Sequence, residues 1–143
     1  MTAVGRVGTA VLLLLALTTP GVAQRRDRAE AEALLLFLES VAAQRTARLC
    51  DRGIPGYRGR FDDVFARWSS RHRSRVERGE AVFHQAAAEK DPPYLDHAKM
   101  EQIEKAIAEL KEPPRDRSPL AITDGMRTVC EHVISDLEAA LTR

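Results

Sequence analysis

The sequence contains no asparagine and only four lysines, against eighteen arginines. Because asparagine is missing, the chain has no acceptor for N-linked glycosylation. Asparagine and lysine both use A-rich codons, and their joint scarcity indicates a GC-rich genome, most simply a bacterial one.

The common catalytic and cofactor motifs are missing as well. The chain has no G-x-S-x-G elbow, no glycine-rich phosphate loop and no H-E-x-x-H zinc motif. It also lacks a CxxCH haem attachment and the Glu-x-x-His pairs that hold two metals in helical bundles. Asp62 and Asp63 are adjacent, and adjacent residues on a helix point about 100° apart, so they do not make a catalytic pair. We therefore expect a protein that is not an enzyme and that has no cofactor.

The four histidines leave a metal-binding alternative open. Three of them have an acid one helical turn away, as the pairs Glu80/His84, His97/Glu101 and His132/Asp136. Such pairs can hold a metal ion, but they also arise by chance in helices that are rich in acids. No residue is therefore assigned as a metal ligand, and a ligand- or metal-carrying bundle stays the second hypothesis.

No apolar stretch is long enough to span a bilayer. The most apolar one, Val7 to Leu17, has eleven residues, whereas a membrane helix needs about 20. It follows a short basic start and precedes Pro20 and small residues up to Ala23, which is the layout of a secretory signal. We expect residues 1–23 to be a cleavable signal peptide, with a retained membrane anchor as the alternative. The mature chain, residues 24–143, then belongs in the bacterial periplasm or outside the cell.

The charge balance gives no sign of a nucleic-acid partner. Loss of Arg6 with the signal lowers the basic side chains from 22 to 21, which equals the 21 acidic ones. A chain without a basic excess is not drawn as a whole to nucleic acid. We expect no such partner, and no transmembrane segment after processing.

Helical periodicity runs through the mature chain, interrupted by polar or proline-rich breaks. We expect helices at about residues 27–50, 60–90, 94–111 and 119–142. Four amphipathic helices with short connections predict an all-α, single-domain antiparallel four-helix bundle. In the first helix, one face gathers the apolar residues Ala31, Leu34, Leu35, Leu38, Val41, Ala42 and Leu49.

Three positions in this pattern carry a specific expectation. Trp68 lies on the inward face of the second helix and is expected to be buried. Gly79 lies on the same face, where it marks either a kink, which we favour, or a close contact with another helix. Ser118 precedes Pro119 and is expected to cap the fourth helix.

The two cysteines are best explained as one disulfide within the chain. Cys50 ends the first helix, where the helix dipole does not favour a thiolate, although Arg48 and Arg52 act in the opposite direction. Cys130 lies on the inward face of the fourth helix, and an antiparallel bundle brings it beside the end of the first. A bridge between them suits an exported protein. Free thiols and an intermolecular bridge are the alternatives.

One surface feature stands above the background. Five arginines project within about 80° of one another on the second helix, and we call them the arginine ridge. They are Arg60, Arg67, Arg71, Arg75 and Arg78. The first interpretation is internal, with the ridge packed beside the acidic helices of the same bundle. The second is a surface that binds an anionic partner, either an acidic protein or an anionic lipid headgroup.

The leading hypothesis for function is a non-enzymatic interaction protein of the cell envelope that acts through a helical surface. A carrier of a ligand or metal in the bundle is second. An enzyme is third, because none of the expected catalytic patterns is present.

Overall fold

The computed structural model describes residues 20–90 and 95–142. Within them the chain forms α1 (Pro20–Asp51), α2 (Tyr57–Ala87), α3 (His97–Lys111) and α4 (Asp124–Thr142), and no strand. The all-α prediction is confirmed. None of these helices is both long enough and apolar enough to cross a membrane. The predicted signal peptide, residues 1–23, lies almost wholly outside the described residues, and its cleavage stays a prediction.

The two longest helices, α1 and α2, form a hairpin. In the turn between them, Gly56 has a φ of 75°, a left-handed conformation that glycine adopts without strain. The amide of Ile54 closes the turn by donating to the carbonyl of Cys50 over 2.8 Å, and the Ile54 side chain is buried. Because the connection is so short, the two helices run antiparallel, and they share the most extensive packing of the fold.

The two shorter helices pack on different halves of this hairpin. α3 shares a core cluster with the first part of α1 and the last part of α2, as Leu34, Phe83 and Met100 show. α4 shares a second cluster with the opposite halves, which contains Trp68 and Leu137. The fold therefore has two adjoining cores, and the hairpin is common to both.

Contacts at the helix ends give the directions of α3 and α4. Arg48, near the end of α1, donates to the carbonyls of Glu109 and Leu110 at the end of α3. Cys50, also at the end of α1, is bonded to Cys130 in the first half of α4. α3 therefore runs parallel to α1 and α4 runs antiparallel to it, which is the up-down-up-down order of the predicted antiparallel bundle.

The two expectations for the inward face of α2 have different outcomes. Trp68 is buried, with 2% of its surface exposed, as predicted. At Gly79 the structure shows the alternative expectation, a close contact with another helix, and α2 runs as one helix from Tyr57 to Ala87. A Cβ added at Gly79 would overlap the carbonyl oxygen of Ala33 and lie 2.8 Å from the Cβ of Phe37. Glycine is needed there because the two helices approach closely.

The fourth helix begins later than predicted, and Ser118 does not cap it. The Ser118 side chain and amide both bind the carboxylate of Asp116, which also binds Arg52, the residue after α1, over 2.7 Å. The helix starts at Asp124, and the hydroxyl of Thr123 accepts a hydrogen bond from an amide of its first turn. The connection is non-helical, and its polar groups bind Arg52 in the turn that follows α1.

The predicted inward face of α1 is only partly correct. Val41 is buried as expected, but Leu35 and Leu49 are 59% and 49% exposed. Ala33 and Phe37, which that pattern left out, are buried where α1 meets α2. Apolar residues occur on every side of α1, so periodicity alone has no single face to indicate.

Candidate interaction surfaces

The predicted disulfide joins the end of α1 to α4. Cys50 and Cys130 are bonded, with 5.8 Å between their Cα atoms, and both are buried. Beside them, the hydroxyl of Tyr57 donates to the carbonyl of Cys130 over 2.8 Å. Burial, helped by the charge of Glu131, raises the pKa of Tyr57 to about 12, so its hydroxyl keeps this proton at neutral pH. Both thiols are used in the disulfide, which links α4 to the end of α1 and leaves neither cysteine as a free thiol.

The first residue of the arginine ridge is bound within the fold. Arg60 of α2 donates two parallel hydrogen bonds, of 2.7 and 3.0 Å, to the carboxylate of Glu131 on α4. These bonds lower the pKa of Glu131, which keeps the pair charged. The Arg60 guanidinium also lies 5.8 Å from the centre of the Tyr57 ring. A bidentate pair of this kind is a specific contact between helices.

Two further ridge residues also meet carboxylates of the same chain. Arg67 binds Asp63, one turn earlier on α2, over 3.0 Å. Arg78 lies 3.5 Å from Glu30 of α1, which also accepts a 3.0 Å hydrogen bond from Arg26. Arg60 and Arg78 thus meet carboxylates of other helices, as the internal interpretation expects, whereas Arg67 pairs within its own helix.

The two remaining ridge arginines contact neutral groups. Arg71 donates to the carbonyl of Leu141 at the end of α4, where a cation also suits the helix dipole. Arg75 lies 2.6 Å from Nδ1 of His72. Within the described residues, neither arginine forms an ion pair with a carboxylate. In the described residues, the charges of Arg71 and Arg75 at the centre of the ridge are therefore not neutralised by a carboxylate, whereas those of the other three ridge arginines are.

His72 is held in its neutral form by this arrangement. An arginine can only donate, so Nδ1 of His72 must accept the bond from Arg75, and the ring proton belongs on Nε2. Nε2 is buried and has no hydrogen-bond partner in the described part of the chain. Burial, together with the charges of Arg75 and Arg71, lowers the pKa of His72. The residue fills space beside Trp68, 5.0 Å between ring centres, and carries no charge at neutral pH.

The acids and histidines considered for chemistry are separated or bound elsewhere. Asp62 and Asp63 each bind a different arginine of their own helix. His84 lies 3.8 Å from Glu80, whereas Nε2 of His97 lies 2.9 Å from a backbone carbonyl. Among residues 20–90 and 95–142, no three histidine, cysteine or acidic side chains lie close enough to hold a metal ion.

The sequence pattern did not reveal a surface on the outer face of α1, the side that points away from α2. Leu35, Ala42 and Leu49 recur there every seven residues and are all exposed; we call them the outer stripe. Ala33 lies about 180° around the helix from Ala42, and Ala33 is the residue that meets Gly79 of α2. The seven-residue spacing of these residues is the sequence signal for this face, but periodicity alone groups them with the inward face of α1.

The helices α3 and α4 lie on opposite sides of the outer stripe. Arg45 and Arg48, which contact α3, lie about 60–120° from Ala42 in one direction around α1. Ala43 and Cys50, which face α4, lie about 80–100° away in the other direction. α3 and α4 share no extensive packing in the described part of the chain. The stripe therefore stays open between them.

A groove of about 420 Å³ separates the outer stripe from α4, and we call it the acidic groove. Its charged lining residues are Glu39 and Asp136, and its floor includes Trp68 and Leu137. Val129, which is 53% exposed, lies on the same side of α4 as Asp136, two turns earlier. The groove therefore combines an apolar floor with two negative charges.

A second groove, of about 540 Å³, lies between the outer stripe and the end of α3, and we call it the basic groove. Its apolar lining includes Leu49 and Leu110. Because Arg115 also binds Glu112 over 2.6 Å, one positive charge is left in excess among the four arginines and two carboxylates that line the groove. They are Arg45, Arg48, Arg52, Arg115, Glu109 and Asp116.

Comparison with known proteins adds no relative, since no family model, curated protein or solved structure matches this chain. Function is therefore inferred from its own residues. They provide one open apolar stripe between two oppositely charged grooves, and one arginine ridge that is largely bound within the fold.

Proposed function

We propose that the protein is a non-enzymatic interaction protein, exported to the bacterial periplasm or beyond, that binds its partner through the outer face of α1. The observation that carries this proposal is the distribution of apolar residues around α1. A helix that carries large apolar side chains on several sides normally buries each of those sides.

Three sides of α1 are covered within the described chain, by α2, α3 and α4. The fourth side carries Leu35 and Leu49, two of the three large apolar side chains that are strongly exposed in the described residues. The third, Val129, lies on the side of α4 that carries Asp136. Large apolar side chains gathered on one surface mark a binding site more often than scattered ones do. The charged grooves beside the stripe supply the polar rim that such sites have.

The proposal is tested by a photo-crosslinking amino acid placed at Ala42, with the protein kept in its native compartment. Ser74, exposed on α2, is the matched control position. We expect one defined adduct from position 42, none from position 74, and loss of the adduct when Leu49→Glu is added. Absence of an adduct at position 42, or the same adducts from both positions, would contradict the proposal.

A second candidate is an acidic protein that binds the centre of the arginine ridge. Arg71 and Arg75 support it because they have no carboxylate partner in the described chain, and because the other ridge arginines all meet carboxylates. The test compares binding of a polyglutamate peptide by the double variant R71Q/R75Q with binding by R26Q/R28Q, which removes the same charge from α1. Selective loss in the first variant supports the ridge. Equal loss, or binding to anionic vesicles in place of the peptide, contradicts it.

A further inference from the structure

The two grooves beside the outer stripe carry charges of opposite sign. The acidic groove holds Glu39 and Asp136 and no base. In the basic groove Arg45 pairs with Glu109, Arg52 with Asp116 and Arg115 with Glu112, which leaves the charge of Arg48 in excess. One groove lies on the α4 side of the stripe and the other on the α3 side, so the surface is divided lengthwise into a negative and a positive half.

From this division we propose that the partner of the outer face is a second copy of the same chain, related by a two-fold axis that runs parallel to α1. This proposal deepens the proposed function and rests on it. A two-fold axis makes the same patch face itself, so every contact occurs twice. When the axis is parallel to α1, the α4 side of one copy lies over the α3 side of the other. Each acidic groove then meets a basic groove.

The opposite orientation of the second copy does not match the charges. If the two α1 helices were antiparallel about a perpendicular two-fold axis, the α4 side of one copy would lie over the α4 side of the other. Glu39 and Asp136 would then meet the same two carboxylates of the second copy, and the arginines would meet arginines. Like charges placed together across an interface are strongly unfavourable. The charges therefore select the parallel arrangement.

The outer stripe fits the parallel arrangement as well. Parallel helices pack through apolar residues at two positions, a and d, of a seven-residue repeat, and the outer stripe supplies one of these two rows. Leu35 would meet Leu35 and Leu49 would meet Leu49 of the second copy. Ala42 lies midway between them, and its small side chain permits close approach of the two helices at the axis.

The heights of the charges along α1 also agree. Cys130 is bonded to Cys50, and α4 runs antiparallel to α1. With a rise of about 1.5 Å per residue, Asp136 therefore lies level with residue 44 of α1, next to Arg45. Asp136 of one copy and Arg45 of the other consequently lie at the same height, on the sides that a parallel two-fold axis brings together.

The first experiment measures the mass of the mature chain by sedimentation velocity over a range of concentrations. We expect a monomer–dimer equilibrium at moderate salt that weakens as salt is raised. Ala42→Glu places two like charges at the axis and should raise the dissociation constant by about tenfold or more. Ala81→Glu, on an exposed part of α2, is the matched control and should leave it unchanged. A chain that stays monomeric at all concentrations overturns the inference.

A charge exchange tests whether the grooves meet each other. Asp136→Arg alone and Arg45→Glu alone should each weaken the dimer, because each brings like charges together at two equivalent places. The double variant restores opposite charges and should recover most of the lost affinity. Recovery is not expected if either residue acts only within its own chain, so additive loss in the double variant contradicts the arrangement. Thermal melting of each variant confirms that it is folded.

Disulfide trapping distinguishes the two orientations. Leu35→Cys should form a covalent dimer with itself on mild oxidation, because parallel packing brings the two copies of this position together. Leu49→Cys should behave in the same way. If neither variant links with itself and only a mixture of the two links, the helices are antiparallel and the inference is wrong.

The two proposals can fail separately. If the chain is monomeric but the crosslinker at Ala42 captures a different protein, the second copy is wrong and the interaction face stands. If position 42 gives no adduct in the native compartment and sedimentation shows no dimer, both are wrong.

Discussion

Replacement of Gly79 by alanine tests the close packing of α1 and α2. In a free helix the change stabilises by about 0.5–1 kcal/mol, because glycine loses more backbone entropy than alanine on folding. At Gly79 the added Cβ would overlap the carbonyl oxygen of Ala33 and lie 2.6 Å from its carbonyl carbon, where ordinary contacts begin at 3.4 Å. The helices must separate by about 0.8 Å at this carbon alone, since a backbone group cannot rotate away. Overpacking costs about 1–3 kcal/mol, and we expect a net loss of about 2 kcal/mol.

Gly59 provides the matched control in the same helix. No atom outside its immediate neighbours lies within 4 Å of a Cβ added there. Gly59→Ala should therefore stabilise the fold by about 0.5 kcal/mol, through backbone entropy alone. Urea unfolding followed by circular dichroism measures both variants, and we expect their midpoints to move in opposite directions at a constant slope. A Gly79→Ala variant as stable as the unaltered protein would refute the close contact.

Three further predictions concern the cores. Cys50→Ser and Cys130→Ser should each cost about 2–5 kcal/mol, because the bridge closes a loop with a sequence separation of 80, worth about 4.5 kcal/mol by chain entropy; two titratable thiols in protein from its native compartment would contradict the bridge. Trp68→Ala should cost about 3–5 kcal/mol, and the unaltered protein should show blue-shifted emission, whereas water-like emission would remove Trp68 from the core. The lowered pKa of His72 means that the unfolded chain binds a proton more readily than the folded one. The contribution of His72 to the free energy of unfolding is therefore fully present at neutral pH and is lost as the pH falls below about 6.5. His72→Phe should reduce this acid dependence. If the free energy of unfolding of the variant falls as much between about pH 7 and pH 5 as that of the unaltered protein, His72 does not cause the acid dependence.

The number of helices could be predicted from local signals, and the disulfide from the order of the helices. The segment from Asp51 to Gly56 contains two glycines and a proline, which end a helix whatever surrounds it. Cys50 and Cys130 follow from topology, since an antiparallel order places the end of α1 beside the first half of α4. No knowledge of side-chain contacts was needed for either inference.

The orientation of α1 could not be predicted from its periodicity. Leu35 and Phe37 are both apolar, yet one faces solvent and the other packs on α2. In a helix with apolar residues on several sides, the choice depends on where the neighbouring helices bind. Here Gly79 of α2 packs against the side of α1 that carries Ala33.

The arginine ridge shows the same limit for charged residues. Helical spacing groups Arg60 with the other four ridge arginines. The partner of Arg60, Glu131, is 71 residues away on α4, and the sequence does not show which face of α4 points toward α2. Similarly, Ser118 has the local pattern of a helix cap. It is bound instead through Asp116 to Arg52, a long-range contact that outweighs the local preference.

We expect a bound partner to cover the outer face of α1 in the native compartment. The rate at which a cysteine at position 42, in the variant Ala42→Cys, is labelled measures this coverage directly. The variant is treated with a small maleimide in its native compartment and again as dilute purified protein, with Ser74→Cys as the exposed control. We expect position 42 to react at least about tenfold more slowly than position 74 in the native compartment, and nearly as fast as position 74 after purification and dilution. Equal labelling of both positions in the native compartment would show that the outer face is open there and would contradict the claim.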